Sequence, residues 1–195
     1  MTPWTEIASV VALGIGANTE NLPVGLAYGL RRVRIGLARN LFIAVATTVA
    51  TLVPLAIGAG LQGYMPKGAS DVIAGSLLIG LGLFNLRTER RGLGRRAGSP
   101  AATESPMASI DLRETLALAG ALSINNIGLG FAGGVAGLGQ GPVGLSVAGF
   151  SVVLLWLGEW LSRRITSGLA AASGWLQFDG NLLLVAVGIL MMLGL

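Results

Sequence analysis

The chain has 195 residues, a net charge of +4, 53% hydrophobic residues, 11% charged residues and a mean hydropathy of +0.75. Soluble domains carry about 25% charged residues, so this composition cannot clothe a globule in polar surface, and it points to a membrane. The chain has no Cys and no His, which excludes disulfides, thiolate or imidazole metal sites, iron–sulfur clusters, cysteine nucleophiles and histidine-based triads.

A helix needs about 20 apolar residues to cross a bilayer. Six stretches qualify: Ile7–Leu30, Leu41–Leu61, Ala69–Leu86, Leu116–Leu138, Pro142–Leu161 and Phe178–Leu195. No basic stretch precedes the first, which argues against a cleaved signal peptide. Span 1 carries Asn18-Thr19-Glu20-Asn21 near its middle, followed by Pro23. Span 2 holds Thr47, Thr48 and Thr51, which are expected to bond their own helix carbonyls. Between spans 3 and 4 lies the long polar connection, 87–111, with five Arg and then a Gly/Ser/Pro/Ala/Thr-rich run, a flexible linker composition. Span 4 carries Ser123, Asn125 and Asn126. Glu159, four residues before Arg163 in span 5, has the spacing of a helical ion pair. Trp4, Trp156, Trp160 and Trp175 suit interfacial anchoring.

Twelve of the thirteen basic residues fall in the span 1–2, 3–4 and 5–6 connections, and only Lys67 falls elsewhere. The positive-inside rule then places both termini outside and the 87–111 linker in the cytoplasm. The basic residues therefore report orientation and not nucleic acid. The two halves are also alike. Asn21–Gly29 aligns with Asn126–Gly134, sharing an Asn, an Ala and two Gly, and Asp71 precedes Gly80 by the interval that separates Asp179 from Gly188. Three spans per copy is an odd number, so the second copy is expected to be inverted in the membrane. The resulting fold class is all-α and polytopic: repeat 1 at 1–86, the linker at 87–111 and repeat 2 at 112–195. Inverted repeats with interrupted helices are a transporter signature.

An acid at the bilayer centre costs roughly 2.5–3.5 kcal/mol. All basic residues lie in loops or at span ends, so Glu20 is expected to be protonated or to face a bound cation. Alternation between those states would make a proton/cation exchanger. Pro23 removes the helix bond to the Thr19 carbonyl, and Gly128 is expected to permit a similar unwinding in span 4. The candidate ligands are Glu20, Asn18, Asn21, Asn125, Asn126 and Thr19. They are hard oxygen donors suited to Mg²⁺, Mn²⁺ or Ca²⁺. For Ser123, Asn125 and Asn126, interhelical hydrogen bonding is the competing structural role. The pairs Gly25/Gly29 and Gly130/Gly134 suit close contact between spans 1 and 4.

The run from Glu20 to Arg31, with Val24-Gly25 and Tyr28-Gly29-Leu30-Arg31, resembles the first-helix motif of the MntP/YtaF proteins, manganese efflux pumps and sporulation membrane proteins of the LysE transporter superfamily. Ala121-Leu122-Ser123-Ile124-Asn125 resembles the second copy of that motif. The resemblance implies a bacterial inner-membrane exporter of a divalent cation, most often Mn²⁺, working by alternating access. It departs from the family at two positions: Glu20 and Asn125 stand where the family has Asp, so one intramembrane charge is missing. The rival readings are an exporter of a small organic cation or amino acid, and a membrane scaffold that transports nothing. No nucleophile–base pair or cofactor motif suggests an enzyme. The expected partners are the transported divalent ion and the lipid bilayer, with a homo-oligomer left open and no resident cofactor.

Overall fold

The computed structural model describes residues 3–30, 33–66, 69–90 and 109–164, with 185, 186, 188, 189 and 192. Six helices account for nearly all of them: α1 (Pro3–Ala17), α2 (Asn21–Leu30), α3 (Leu37–Gln62), α4 (Ala69–Arg90), α5 (Leu112–Val135) and α6 (Gln140–Arg164). The five described residues beyond 184 are also helical, and the rest of the expected sixth span lies outside the described residues. So does 91–108, most of the expected linker.

Local chemistry explains the boundaries. Residues 18–20 form a turn, in which the Asn18 N–H bonds to Ile15 O and the Asn21 N–H to Asn18 O, each at 3.0 Å. These are three-residue steps that tighten and end a helix. Pro23 then has no N–H to offer Thr19, and span 1 becomes two helices. Gly36 at φ 75° and Gly137 at φ 78° take the positive φ that glycine adopts without a Cβ clash, in the connections before α3 and α6. Asp111 caps α5, its carboxylate accepting the Glu114 N–H at 2.6 Å.

The distribution of polarity is the reverse of a soluble protein's. On α3, Val45, Val49, Val53 and Ile57 are 54–62% exposed, while Thr47 and Thr51 are fully buried. Helices α3, α5 and α6 are each long and apolar enough to cross a membrane, and α4 contains the shorter apolar stretch Val72–Leu81. A surface of that kind suits hydrocarbon.

One packing arrangement occurs twice. A methyl group built on Gly25 would strike the Leu155 carbonyl oxygen and lie 3.1 Å from Glu159 N, and one on Gly134 would strike the Leu55 carbonyl oxygen and lie 2.8 Å from Ala59 N. In reverse, Gly158 is pressed against Leu22 O and Leu26 N, and Gly58 against Phe131 O and Val135 N. So α2 runs beside α6 as α5 runs beside α3, at distances only glycine allows. From 41 to 60 the burial of α3 recurs in α6 one hundred positions on, with position 57/157 the one exception. The two helices cross antiparallel: the Asn40 amide reaches Val152 O at 3.1 Å, and Gly144 faces the Leu52 side chain.

These contacts correct two expectations. The glycine pairs do not seat span 1 on span 4; each seats its helix on α6 or α3. The internal alignment slips by one helical turn, because packing equates Gly25 with Gly134 and not with Gly130. A GxxxG pattern recurs every four residues, so a four-residue shift preserves it. In the third pair, Gly75 and Gly188 pack on each other, a methyl on either one meeting the other's carbonyl oxygen, and Gly80 faces open space.

Two apolar clusters lie along these helices. One gathers Val10, Leu13, Leu55, Leu129, Val135 and Val147. The other gathers Tyr28, Val33, Ile35, Ile43, Ile110, Leu122 and Leu155.

Candidate functional site

Each central helix passes from one cluster to the other through a buried polar residue. Span 1 does so at Asn18 and Asn21, between Ala17 and Val24; α3 at Thr47 and Thr51, between Ile43 and Leu55. Helix α5 does so at Asn126, between Leu122 and Leu129, and α6 at Ser151, between Val147 and Leu155. The result is a polar layer between two apolar ones.

Hydrogen bonds run through the layer from helix to helix. The Asn18 amide donates to Gly14 O at 2.8 Å and to Val147 O at 3.1 Å. Its Oδ1 accepts from the Asn21 amide at 3.1 Å, and that same Nδ2 reaches Ser151 Oγ at 3.0 Å and Ser151 O at 3.3 Å. The Ser151 and Thr47 hydroxyls are 3.4 Å apart. The Asn126 amide donates to Thr47 O at 3.2 Å. Among the described residues, two buried side-chain polar atoms have no hydrogen-bond partner: Asn126 Oδ1 and Asn40 Oδ1. Leaving such an acceptor unpaired costs about 1–3 kcal/mol, so each calls for a complement.

Of the six candidate ligands, the structure brings Asn18, Asn21 and Asn126 together, all at most 1% exposed. Thr19 turns its hydroxyl to its own helix, on Ile15 O and Gly16 O. Glu20 sits on the turn that breaks span 1 and is half-buried, as is Asn125 on α5. The unwinding expected at Gly128 does not occur, since α5 is continuous. Gly128 serves packing: a methyl there would meet the Leu81 methyls at 2.9 and 3.0 Å. Without a proline to remove a donor, glycine alone does not open a packed helix. Among the described residues no cluster of three or more acidic side chains exists.

Sequence reasoning missed Ser151 and Asn40. The hundred-residue recurrence of Leu55/Leu155 and Gly58/Gly158 was the signal, because it places Ser151 at the position of Thr51. Thr48 and Thr51 bond their own helix as expected, on Ala44 O and Thr47 O. Ser123 does the same on Ala119 O. Thr47 bonds Ala44 O but also meets Ser151.

At the end of the molecule that carries Arg34 and Arg39, α2, the segment before α3 and the start of α5 are tied together. The Tyr28 hydroxyl donates to Glu114 Oε1 at 2.9 Å, and the Ile110 N–H reaches Arg34 O at 3.3 Å. Val33, Ile35 and Ile110 are buried between them. Glu159 pairs with Arg163, as its spacing predicts. Trp156 and Trp160 stack at 6.4 Å, and the Arg164 guanidinium lies 5.2 Å above Trp160.

No family model matches the chain, and no solved structure matches it. It is similar to the probable sporulation protein YtaF of Bacillus subtilis (strain 168), 26% identical over 81 residues. That stretch is 42% of this chain and 39% of the relative. The kinship is distant, and it agrees with the resemblance read from the span 1 motif.

Proposed function

We propose that this chain is a bacterial inner-membrane transporter that exports a divalent cation, Mn²⁺ foremost, by alternating access. The observation that carries the reading is the polar layer, where an interrupted helix meets three continuous ones and an amide oxygen is left open. Polar groups buried in an otherwise apolar, lipid-suited helix set are expensive and mark a transport path. Interrupted helices at that depth are where transporters hold ions. The duplicated packing and the antiparallel crossing of α3 and α6 support two inverted three-helix repeats making six spans. The basic loops support termini outside.

In this reading Glu20 is the charged ligand and proton carrier. It sits half-buried on the turn that breaks span 1. Asn126 and the Thr19 carbonyl, which Pro23 denies its helix donor, add neutral oxygens. The tie between Tyr28 and Glu114 closes the end bearing the basic residues. Alternating access requires it to open.

A second reading, a scaffold that moves nothing, draws support from one observation: most polar groups in the layer already bond one another. Flux separates the two. Purified protein in proteoliposomes should move Mn²⁺ down an imposed proton gradient. Glu20→Gln keeps the shape of the side chain and removes its charge, so it should abolish that flux while leaving the melting temperature unchanged or raised. Normal flux in Glu20→Gln would make the carboxylate structural. Absence of flux in the wild-type chain across Mn²⁺, Mg²⁺ and Ca²⁺ would favour the scaffold.

A further inference from the structure

The two halves treat one amide differently. Asn18 and Asn126 occupy equivalent places, since their amides donate to Val147 O and Thr47 O, positions one hundred residues apart on the matching helices α6 and α3. Those carbonyls fix each amide's orientation, because exchanging its oxygen and nitrogen would set carbonyl against carbonyl. Both Oδ1 atoms must therefore point away from their carbonyls. In the first half the Oδ1 is capped by the Asn21 amide, which also reaches Ser151 O and Oγ. In the second half the residue that faces the matching position, Thr51, is Gly130, and a methyl there would strike the Thr51 carbonyl oxygen. No side chain fits at Gly130, and among the described residues nothing caps Asn126 Oδ1, which is fully buried.

We infer that Asn126 Oδ1 is the amide ligand of a single cation seat, and that the Asn21 amide is a built-in substitute for the cation at the equivalent seat beside Asn18. The positive end of an N–H dipole fills in one half what an ion fills in the other. The seat takes a hard cation, because a neutral amide oxygen is a hard donor. The polar layer thus carries two equivalent seats and uses one for an ion. This rests on the transport reading above and narrows it.

The test is Mn²⁺ binding to the full chain in nanodiscs, counted from the loss of the free-ion paramagnetic resonance signal. The wild-type chain should bind one Mn²⁺. Asn126→Leu should bind it about tenfold more weakly or worse, the effect of losing one strong ligand in a dry site. That variant loses an unpaired acceptor together with one hydrogen bond, so its fold should persist, which melting without metal checks. Asn21→Ala uncaps Asn18 and should raise the count from one to two, and Asn21→Gly, which copies the second half, should do the same. The double variant Asn21→Ala with Asn126→Leu should return to one. A count that stays at one in both Asn21 variants overturns the inference, as does unchanged affinity in Asn126→Leu. In either case wild-type binding that Glu20→Gln abolishes would leave the transport reading standing. A wild-type chain that neither binds nor moves Mn²⁺ overturns both together.

Discussion

The contact of span 1 with α6 and the contact of α5 with α3 solve one packing problem with different helices. Both place an asparagine on a carbonyl of the partner and then a glycine on another carbonyl two turns along it. In span 1 these are Asn18 and Gly25, seven residues apart and separated by a turn; in α5 they are Asn126 and Gly134, eight apart in unbroken helix. The break therefore shortens the helix by a residue without moving either anchor. The difference teaches where freedom resides. The glycine contacts are rigid and duplicated, whereas the turn at 18–20 belongs to one half alone and sets Glu20 on the only interruption among the described spans.

If the glycine contacts are the duplicated scaffold, damaging either should cost the same. Gly25→Ala and Gly134→Ala each drive a methyl into a backbone carbonyl, and backbone cannot yield as a side-chain tip can. Each should destabilise by about 1–3 kcal/mol or more, the usual range for overpacking. Gly80→Ala and Gly120→Ala, where a methyl meets nothing within 4 Å, should be neutral or stabilising by up to about 1 kcal/mol. Melting of the four variants in one detergent checks this. A large cost at Gly25 with none at Gly134 would break the equivalence of the two contacts.

How much of this was legible beforehand depends on the kind of signal. Helix existence was plain, because runs of twenty apolar residues have few other fates. The break in span 1 was legible because Pro23 removes a specific donor. The continuity of α5 was not, because a glycine such as Gly128 serves equally as hinge or as packing surface, and only the neighbour, Leu81, decides. The register between halves failed by one turn for a similar reason: Gly25, Gly29, Gly130 and Gly134 offer several matches at four-residue steps. The burial of Asn18, Asn21 and Asn126 concerns residues that stand out in the sequence because amides are rare between apolar residues. That Asn21 caps Asn18 while Asn126 goes uncapped depends on Gly130, whose contribution is the absence of a side chain.

The turn itself is open to a smaller test. Pro23→Ala restores an N–H that can bond Thr19 O and lets α1 and α2 join, making span 1 more like α5. Because Pro23 is exposed, stability should shift by no more than about 1 kcal/mol in either direction. Mn²⁺ flux should nevertheless fall severalfold, since the Thr19 carbonyl is withdrawn and the turn stiffened. Flux equal to wild type would mean that the asymmetry between the halves is inherited and unused.

The smallest effect belongs to Glu159, the acid nearest the Gly25 contact. It stands at the position matching Ala59, so a charge occurs in one half where the other has a methyl. Two roles compete for it: an ion pair along α6, or an acid guarding the path at the basic end. The structure joins it to Arg163 one turn on, with 54% of the arginine side chain and 12% of the glutamate side chain exposed. A helical pair with one partner in water is worth about 0.3–0.5 kcal/mol. The backbone around it is held independently, since Gly29 packs on the Glu159 carbonyl and the Ser162 hydroxyl bonds it at 2.7 Å. Glu159→Gln leaves those contacts in place and removes only the charge. It should therefore lower stability by no more than about 0.5 kcal/mol, with that loss disappearing at high salt as screening shortens to a few ångströms. Transport should be unchanged, including its dependence on the proton gradient. A flux loss comparable to that of Glu20→Gln would place a second working acid on the path and give the first half's contact with α6 a chemical role that its twin lacks.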